Sequence, residues 1–484
     1  MIGKVGGISV LVIALALYFR SNDVKIRDGK VLTTGSGEVK GSILTSRDGR
    51  DYYAWHQIPY AKPPVGSLRF ADPLPTDSWS TVIDGREEGP KCAQVNFLRY
   101  ESADIFGSED CLHVNVFAPK QLHDEIIQGK KPKQPYRLDI LGFLTTGDKI
   151  ARGNQGLKDQ SMALQWIKKN IEHFGGDPNQ ITILGTSAGG ASVHQQILSP
   201  LSKGLFQKAY SQSGAASNTW GLITLERSLE KTKETAATFD CPVNDNQQLV
   251  DCLRNVELET LLMPRLLPLQ GKYGLLNPHM YGEGFEPIVE AVKDEKTFLG
   301  EHPLKIVSDG RAHRVPYLIG HTTHEGLYST AVLMQDSKNL DKFESEIVPA
   351  VKTIFAIENQ NVEEIARKIQ KIYVPDESGI NFAERAMQYF YLQNNTDIPD
   401  FHEIFVAVSW KRPFWLDAGW ALLKSFLKDK ILGIPPKYYG INHAADALFF
   451  FPAKELSMEI SKDDKLYQYS KDFVNLAVQF AKDE

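Results

Sequence analysis

The sequence predicts an α/β fold with a mostly parallel central sheet flanked by helices. Two observations carry this. Between Gly153 and Gly214 the chain reads as helix, strand, sharp turn, helix and strand, the alternation that lays parallel strands side by side with helices between them. Within that stretch, Gly185-Thr186-Ser187-Ala188-Gly189 joins an apolar strand to a helical segment, the context in which a G-x-S-x-G turn presents a serine above a sheet.

The elements follow in order. Gly153-Asn154-Gln155-Gly156 opens as a turn, and Asp159 is placed to cap a helix that runs to about Phe174. Ala163, Leu164, Trp166, Ile167 and Ile171 recur at helical spacing and mark its buried face. Gly175-Gly176-Asp177-Pro178 ends it, and Ile181 to Leu184 forms a short buried strand. Ala191 to Leu198 reads as the next helix, Ala209 to Gln212 as the next strand, and Tyr317-Leu318-Ile319 as a later apolar strand.

A chain of 484 residues, 42% of them hydrophobic, can bury a large core. It shows no internal repeat and no low-complexity linker, so residues 21–484 are expected to form one catalytic-type domain. The net charge is −6, with acidic and basic residues mixed along the chain. No basic stripe stands ready to neutralise phosphates, which argues against a nucleic-acid partner.

Residues 1–20 read as a secretory signal: Lys4 supplies the positive end, Ile8 to Phe19 the apolar run, and Ala14-Leu15-Ala16 a small-x-small cleavage site. The alternative, an uncleaved anchor, falls short of the about 20 apolar residues a spanning helix needs. No later run repeats the pattern, so the expectation is a secreted protein without a stable membrane span. Cys92, Cys111, Cys241 and Cys252 suit an oxidising compartment, and four cysteines allow three pairings that spacing alone leaves open. Asn394-Asn395-Thr396 is a glycosylation sequon at Asn394. No cysteine or histidine cluster points to a metal, and the chemistry below needs no metal or organic cofactor.

Ser187 is the candidate nucleophile, and the backbone N–H of Ala188 points to where an oxyanion would form. A serine hydroxyl needs a base, and in this arrangement the acid and then the histidine follow the serine in the chain. Among twelve histidines, His443 lies late, in Gly440-Ile441-Asn442-His443-Ala444-Ala445-Asp446. Glu325 follows the apolar strand at Tyr317 to Ile319, in Gly320-His321-Thr322-Thr323-His324-Glu325-Gly326. His321 and His324 compete as bases by type, but both sit beside the acid's own loop.

Several motifs together resemble the type-B carboxylesterases, the cholinesterase-like α/β-hydrolases, and among them the secreted arthropod esterases most. They are Ile58-Pro59-Tyr60-Ala61-Lys62-Pro63-Pro64-Val65-Gly66 with Leu68-Arg69-Phe70, then Ser108-Glu109-Asp110-Cys111-Leu112, and then Asn170-Ile171 through Pro178 and Gly185 to Gly190. His113 stands where an aromatic residue or Thr is usual, and Thr186 replaces a usual Glu or Gln. The resemblance implies an α/β-hydrolase fold, a triad of Ser187, Glu325 and His443, disulfides Cys92–Cys111 and Cys241–Cys252, and a small-molecule carboxylic ester as substrate. It also implies that a serine within Ser211-Gln212-Ser213-Gly214 supports the site.

One departure matters. Tyr136-Arg137-Leu138-Asp139-Ile140-Leu141-Gly142-Phe143 resembles a family motif that relatives precede with a core strand, a His-Gly-Gly-Gly loop and a second strand. Here the chain passes from Pro119 to Tyr136 through a short polar stretch, and no His-Gly-Gly run occurs. The expectation is therefore a fold lacking one segment of its sheet near residues 120–135, with a shortened C-terminal end, and an oxyanion hole reduced to Ala188. Two readings follow: an active esterase, or a catalytically impaired or non-catalytic binding relative.

Overall fold

A computed structural model of the chain describes residues 26–46, 48–95, 104–120, 135–218, 220–270 and 284–321, with positions 348, 361, 363–365, 367–368, 471 and 478–481. The leader at residues 1–20, residues 121–134, Glu325, His324, Asn394 and His443 lie outside the described residues.

The N-terminal third is an antiparallel sheet. Strands β1 (Arg27–Thr33), β2 (Glu38–Thr45) and β3 (Asp51–Pro59) follow one another, and the short β4 (Ile83–Asp84) pairs with β2 in parallel. A small hairpin of β5 (Gln94–Val95) and β6 (Ile105–Phe106) precedes β7 (His113–Pro119), which closes on β3. Trp55 of β3 is fully buried and donates its indole N–H to the Lys30 carbonyl. Gly41 of β2 makes room for that indole, because a Cβ there would lie 2.6 Å from it.

The chain re-enters the described structure at Pro135, whose carbonyl accepts a 2.8 Å hydrogen bond from the buried Tyr60 hydroxyl. Helix α1 (Asp139–Phe143) and helix α2 (Gln155–Asn170) follow. All five apolar positions read from the spacing of α2 are buried, Ala163 completely. Two faces of this helix serve two cores. Ala163, Trp166 and Ile167 pack with Trp55, Val114 and Phe174 against the antiparallel sheet, and Leu164 packs with Val193, Ile197, Phe206 and Ala209 on the other side.

The parallel part of the structure is a three-stranded sheet in the order β10-β9-β8, built from β8 (Thr182–Thr186), β9 (Lys208–Gln212) and β10 (Tyr317–Gly320). Helix α3 (Ala188–Leu198) connects β8 to β9. Helices α4 (Leu225–Thr238), α5 (Asn246–Arg254), α6 (Leu258–Gln270) and α7 (Pro303–Ser308) lie between β9 and β10 in the chain. Residues of α4, α5 and α6 share the largest buried cluster with Phe285, Phe298 and Leu299. Among the described residues the ladder does not run on from β7 to β8, so each strand pairs on one side only. The cost is visible: all of β8 is half-buried, whereas Ala209 to Gln212 of β9 are buried. Both expected disulfides, Cys92–Cys111 and Cys241–Cys252, are formed.

Motifs that stand apart in the sequence meet as ion pairs. Arg69 donates to Glu109 at 2.7 Å, and its remaining nitrogen donates to the carbonyls of Arg254 and Val256 at the C-terminal end of α5. Arg137 and Asp159 form a second, more deeply buried pair, with side-chain bonds of 2.8 and 2.6 Å and a third from the Arg137 backbone N–H at 3.0 Å. Arg137 also donates to the Ala71 carbonyl. Asp159 is thus not the cap expected of it. The helix starts earlier, at Gln155; Asn154 at its N-cap position makes no side-chain cap bond and instead exchanges two bonds with the Ile288 backbone. The position of Asp159 is inside the helix, where its carboxylate is spent on Arg137.

Removing one partner of a buried pair strands the other charge, which costs on the order of 3–5 kcal/mol, whereas replacing both with apolar groups is often neutral. Asp159→Asn should therefore lower the free energy of urea unfolding by that order, and Arg137→Met with Asp159→Leu should recover most of it. A double variant as weak as the single one would refute this account.

Candidate active site

The three parallel strands end on one edge. Ser187 follows β8 directly, Ser213 follows β9, and His321 follows β10. Open α/β sheets bind their ligands at this carboxyl edge.

Ser187 has φ 58° and ψ −124°, a conformation that costs a non-glycine residue on the order of 1–3 kcal/mol and persists only when its surroundings over-determine it. Here they do. The Ser187 N–H donates to the Gln212 carbonyl at 2.8 Å, and the Ser187 carbonyl accepts from the Ala191 N–H at 3.0 Å. Two glycines let the backbone close around the turn. A Cβ on Gly185 would stand 2.2 Å from the Gly189 carbonyl oxygen, and one on Gly214 would stand 2.1 Å from the Ser187 carbonyl oxygen. The elbow is therefore a locked piece of backbone. Ala188 begins α3 and is exposed, so its N–H lies at the open end of the helix, where partial positive charge favours an anion.

The residues behind the elbow are buried polar groups with their bonds made. Ser211 is fully buried; its hydroxyl donates to the Gly190 carbonyl at 2.7 Å and accepts from the Tyr317 hydroxyl at 2.8 Å. Thr186, which stands where the resemblance expects Glu or Gln, donates to the Gln212 side-chain oxygen at 2.8 Å. The Ser213 N–H donates to the Gly320 carbonyl at 2.7 Å, which joins the turns after β9 and β10. His194, on the buried side of α3, accepts a 3.2 Å bond from the Ala216 N–H at Nδ1, and its ring lies 5.5 Å from that of Tyr317. Gln160 of α2 donates to the Ser192 hydroxyl, tying the two helices together beneath the site.

The structure thus brings Ser187, Ala188 and the Ser211–Gly214 segment together at one edge, with His321 beside them. Glu325 and His443 lie outside the described residues. Sequence reasoning passed over His194 and Tyr317. His194 was legible only as a histidine in an apolar helix, and Tyr317 only as a strand residue, since the cross-strand register that sets Tyr317 near Ser211 is not written in either segment. Among the described residues no group of three or more His, Cys, Asp and Glu side chains is gathered as for a metal ion, and no helix is long and apolar enough to cross a membrane.

Comparison with known proteins adds the following. The family model for the carboxylesterase family matches residues 28–135 and 133–484. A carboxylic ester hydrolase of Bombus ignitus is 31% identical over 479 residues, covering 91% of this chain and 83% of the relative. A juvenile hormone esterase of Tribolium castaneum is 29% identical over 491 residues, covering 93% and 82% respectively. In three dimensions the chain is similar to the juvenile hormone esterase of Manduca sexta, solved with OTFP covalently attached, at a TM-score of 0.75 and 21% identity over 93% of this chain and 90% of that one.

Burial holds the His194 imidazole neutral and lowers its pKa from 6.5 to about 4. Above pH 6.5 both folded and unfolded chains carry it neutral, and its contribution to stability is intact. As pH falls from about 6.5 toward 4 only the unfolded chain takes up the proton, so stability drops by roughly 3 kcal/mol across that window. His194→Asn, whose side-chain oxygen can still accept from Ala216, should flatten the slope of unfolding free energy against pH there. An unchanged slope in urea titrations between pH 4 and 7 would count against it.

Proposed function

Since the chain belongs to the carboxylesterase family and has the α/β-hydrolase fold, we propose that it hydrolyses small-molecule carboxylic esters through an acyl-enzyme on Ser187, with His443 as base and Glu325 as the acid that orients it. The observation that carries this reading is the backbone of Ser187: a serine held at φ 58° between a parallel strand and a helix, at the strands' carboxyl edge. The family and its esterase relatives support carboxylic ester hydrolysis as the activity.

In the proposed reaction His443 takes the proton of Ser187 as its oxygen attacks the ester carbonyl. The Ala188 N–H donates to the oxyanion, and Glu325 stabilises the imidazolium. The imidazolium then protonates the leaving alcohol, and water activated by the same histidine releases the acid and restores Ser187. No cofactor enters any step. The resemblance would supply further oxyanion donors from a glycine loop, and this sequence has no such loop. In support, the family match falls into two pieces that meet at residues 133–135. Each absent donor costs about 10²–10³ in kcat, so a slow enzyme is the form of activity proposed. The second reading is a binding protein with an impaired site, and the half-buried state of β8 beside the elbow is what favours it. Export through the signal at residues 1–20 and glycosylation at Asn394 complete the proposal, in keeping with a chain that forms both its disulfides.

A fluorophosphonate probe should label the full chain at one site, and Ser187→Ala should abolish the label. A folded wild type that takes no label would replace the esterase reading with the binding one. Because the base works only when neutral, the labelling rate should fall tenfold per pH unit below a histidine pKa of about 6.5; a rate flat down to pH 5 would exclude a histidine base.

A further inference from the structure

The network behind the elbow has a direction. Tyr317 on β10 donates to Ser211 on β9, and Ser211 donates to the Gly190 carbonyl in the first turn of α3. The three residues stand on three different elements, and the strand register places them together: Ser211 pairs with Gly185 of β8 on one side and with Ile319 of β10 on the other. Gly190 is two residues beyond Ala188, so its carbonyl belongs to the peptide that sets how the first turn of α3 sits on the sheet.

We propose that Ser211 and Tyr317 are positioning residues for the nucleophile, forming a two-hydroxyl relay that fixes the first turn of α3 and with it the aim of Ser187 Oγ and of the Ala188 N–H. The inference rests on the reading of Ser187 as nucleophile.

Three features support it. Ser211 is fully buried in a strand, where a small apolar side chain would pack without a polar atom to satisfy. Its single hydroxyl has both capacities used, one accepting and one donating. Burial pushes the Tyr317 hydroxyl well above its ordinary pKa, so it remains a donor throughout the working range. Backbone bonds at Ser187 and the Ser211 bond to the Gly190 carbonyl hold the elbow, and among the described residues β8 pairs with β9. A displacement of the first turn moves the nucleophile and the oxyanion donor together, and small misplacements of reacting groups are costly in rate.

The test uses the full chain and a fluorophosphonate probe, and reads two quantities separately: the final labelled fraction, which reports how much protein is folded with Ser187 accessible, and the second-order rate of labelling, which reports how well Ser187 is aimed. Ser211→Ala should slow labelling about tenfold, and Tyr317→Phe, which leaves the Ser211 hydroxyl in place but unsteered, about threefold. The labelled fraction should stay at the wild-type level in both. The double variant should be no slower than Ser211→Ala, because the relay routes the effect of Tyr317 on the elbow through Ser211. The pH dependence of labelling should not move, since the relay does not touch the base. Rates equal to wild type at a reduced labelled fraction would mean that the two residues only hold the fold, and multiplying effects would mean that they act apart; either outcome overturns the relay. A wild type that takes no label overturns the nucleophile reading and the relay with it, which separates that failure from a labelled wild type whose variants react at full rate.

Discussion

The buried pair of Arg137 and Asp159 is the contact on which the two halves of the molecule depend. The chain leaves the antiparallel sheet at the end of β7 and is next described at Pro135. There it meets the Tyr60 hydroxyl, then the Asp159 carboxylate with three bonds, then the Ala71 carbonyl. Asp159 stands on α2, and α2 carries one core on each side. With no ladder between β7 and β8 among the described residues, side-chain packing on this helix does what strand pairing would otherwise do. A charge pair is a costly way to join two parts of a protein, because both ions give up water. In return it gives one register for helix against chain, which an apolar contact of the same size would leave looser.

The elbow is the second constraint, and its logic is the reverse. It is a conformation that Ser187 would not choose, and two backbone bonds and the absence of side chains at Gly185 and Gly214 help to hold it. Under the proposed reaction this strained turn would present the hydroxyl beside the N-terminal end of α3. The polar residues beneath it, Ser211, Gln212 and Ser213, sit at the end of a buried strand with partners made, so the site rests on a satisfied base.

The sequence was most informative where structure is local. The apolar spacing of α2 named its buried face, and Gly185 to Gly189 named the elbow with the strand and helix that flank it. Arg69 and Glu109 were visible as parts of two motifs, yet only the fold shows that those motifs bond to each other and to the end of α5. The helix begins four residues before Asp159, whose carboxylate pairs with Arg137, a partner 22 residues away that no local capping pattern encodes. The Tyr317–Ser211 contact was hidden for the same reason, since it depends on which strands are neighbours and in which register. The half-buried state of β8 could be seen only once the strands were in place.

The positive φ of Ser187 has a meaning for descent as well as for chemistry. A side chain in that conformation is a standing cost to the folded state, and glycine would relieve it at once. A lineage that no longer used the hydroxyl would gain stability by losing it. Mutational drift at this codon therefore has a downhill direction, and a serine there is a residue that drift alone tends to remove.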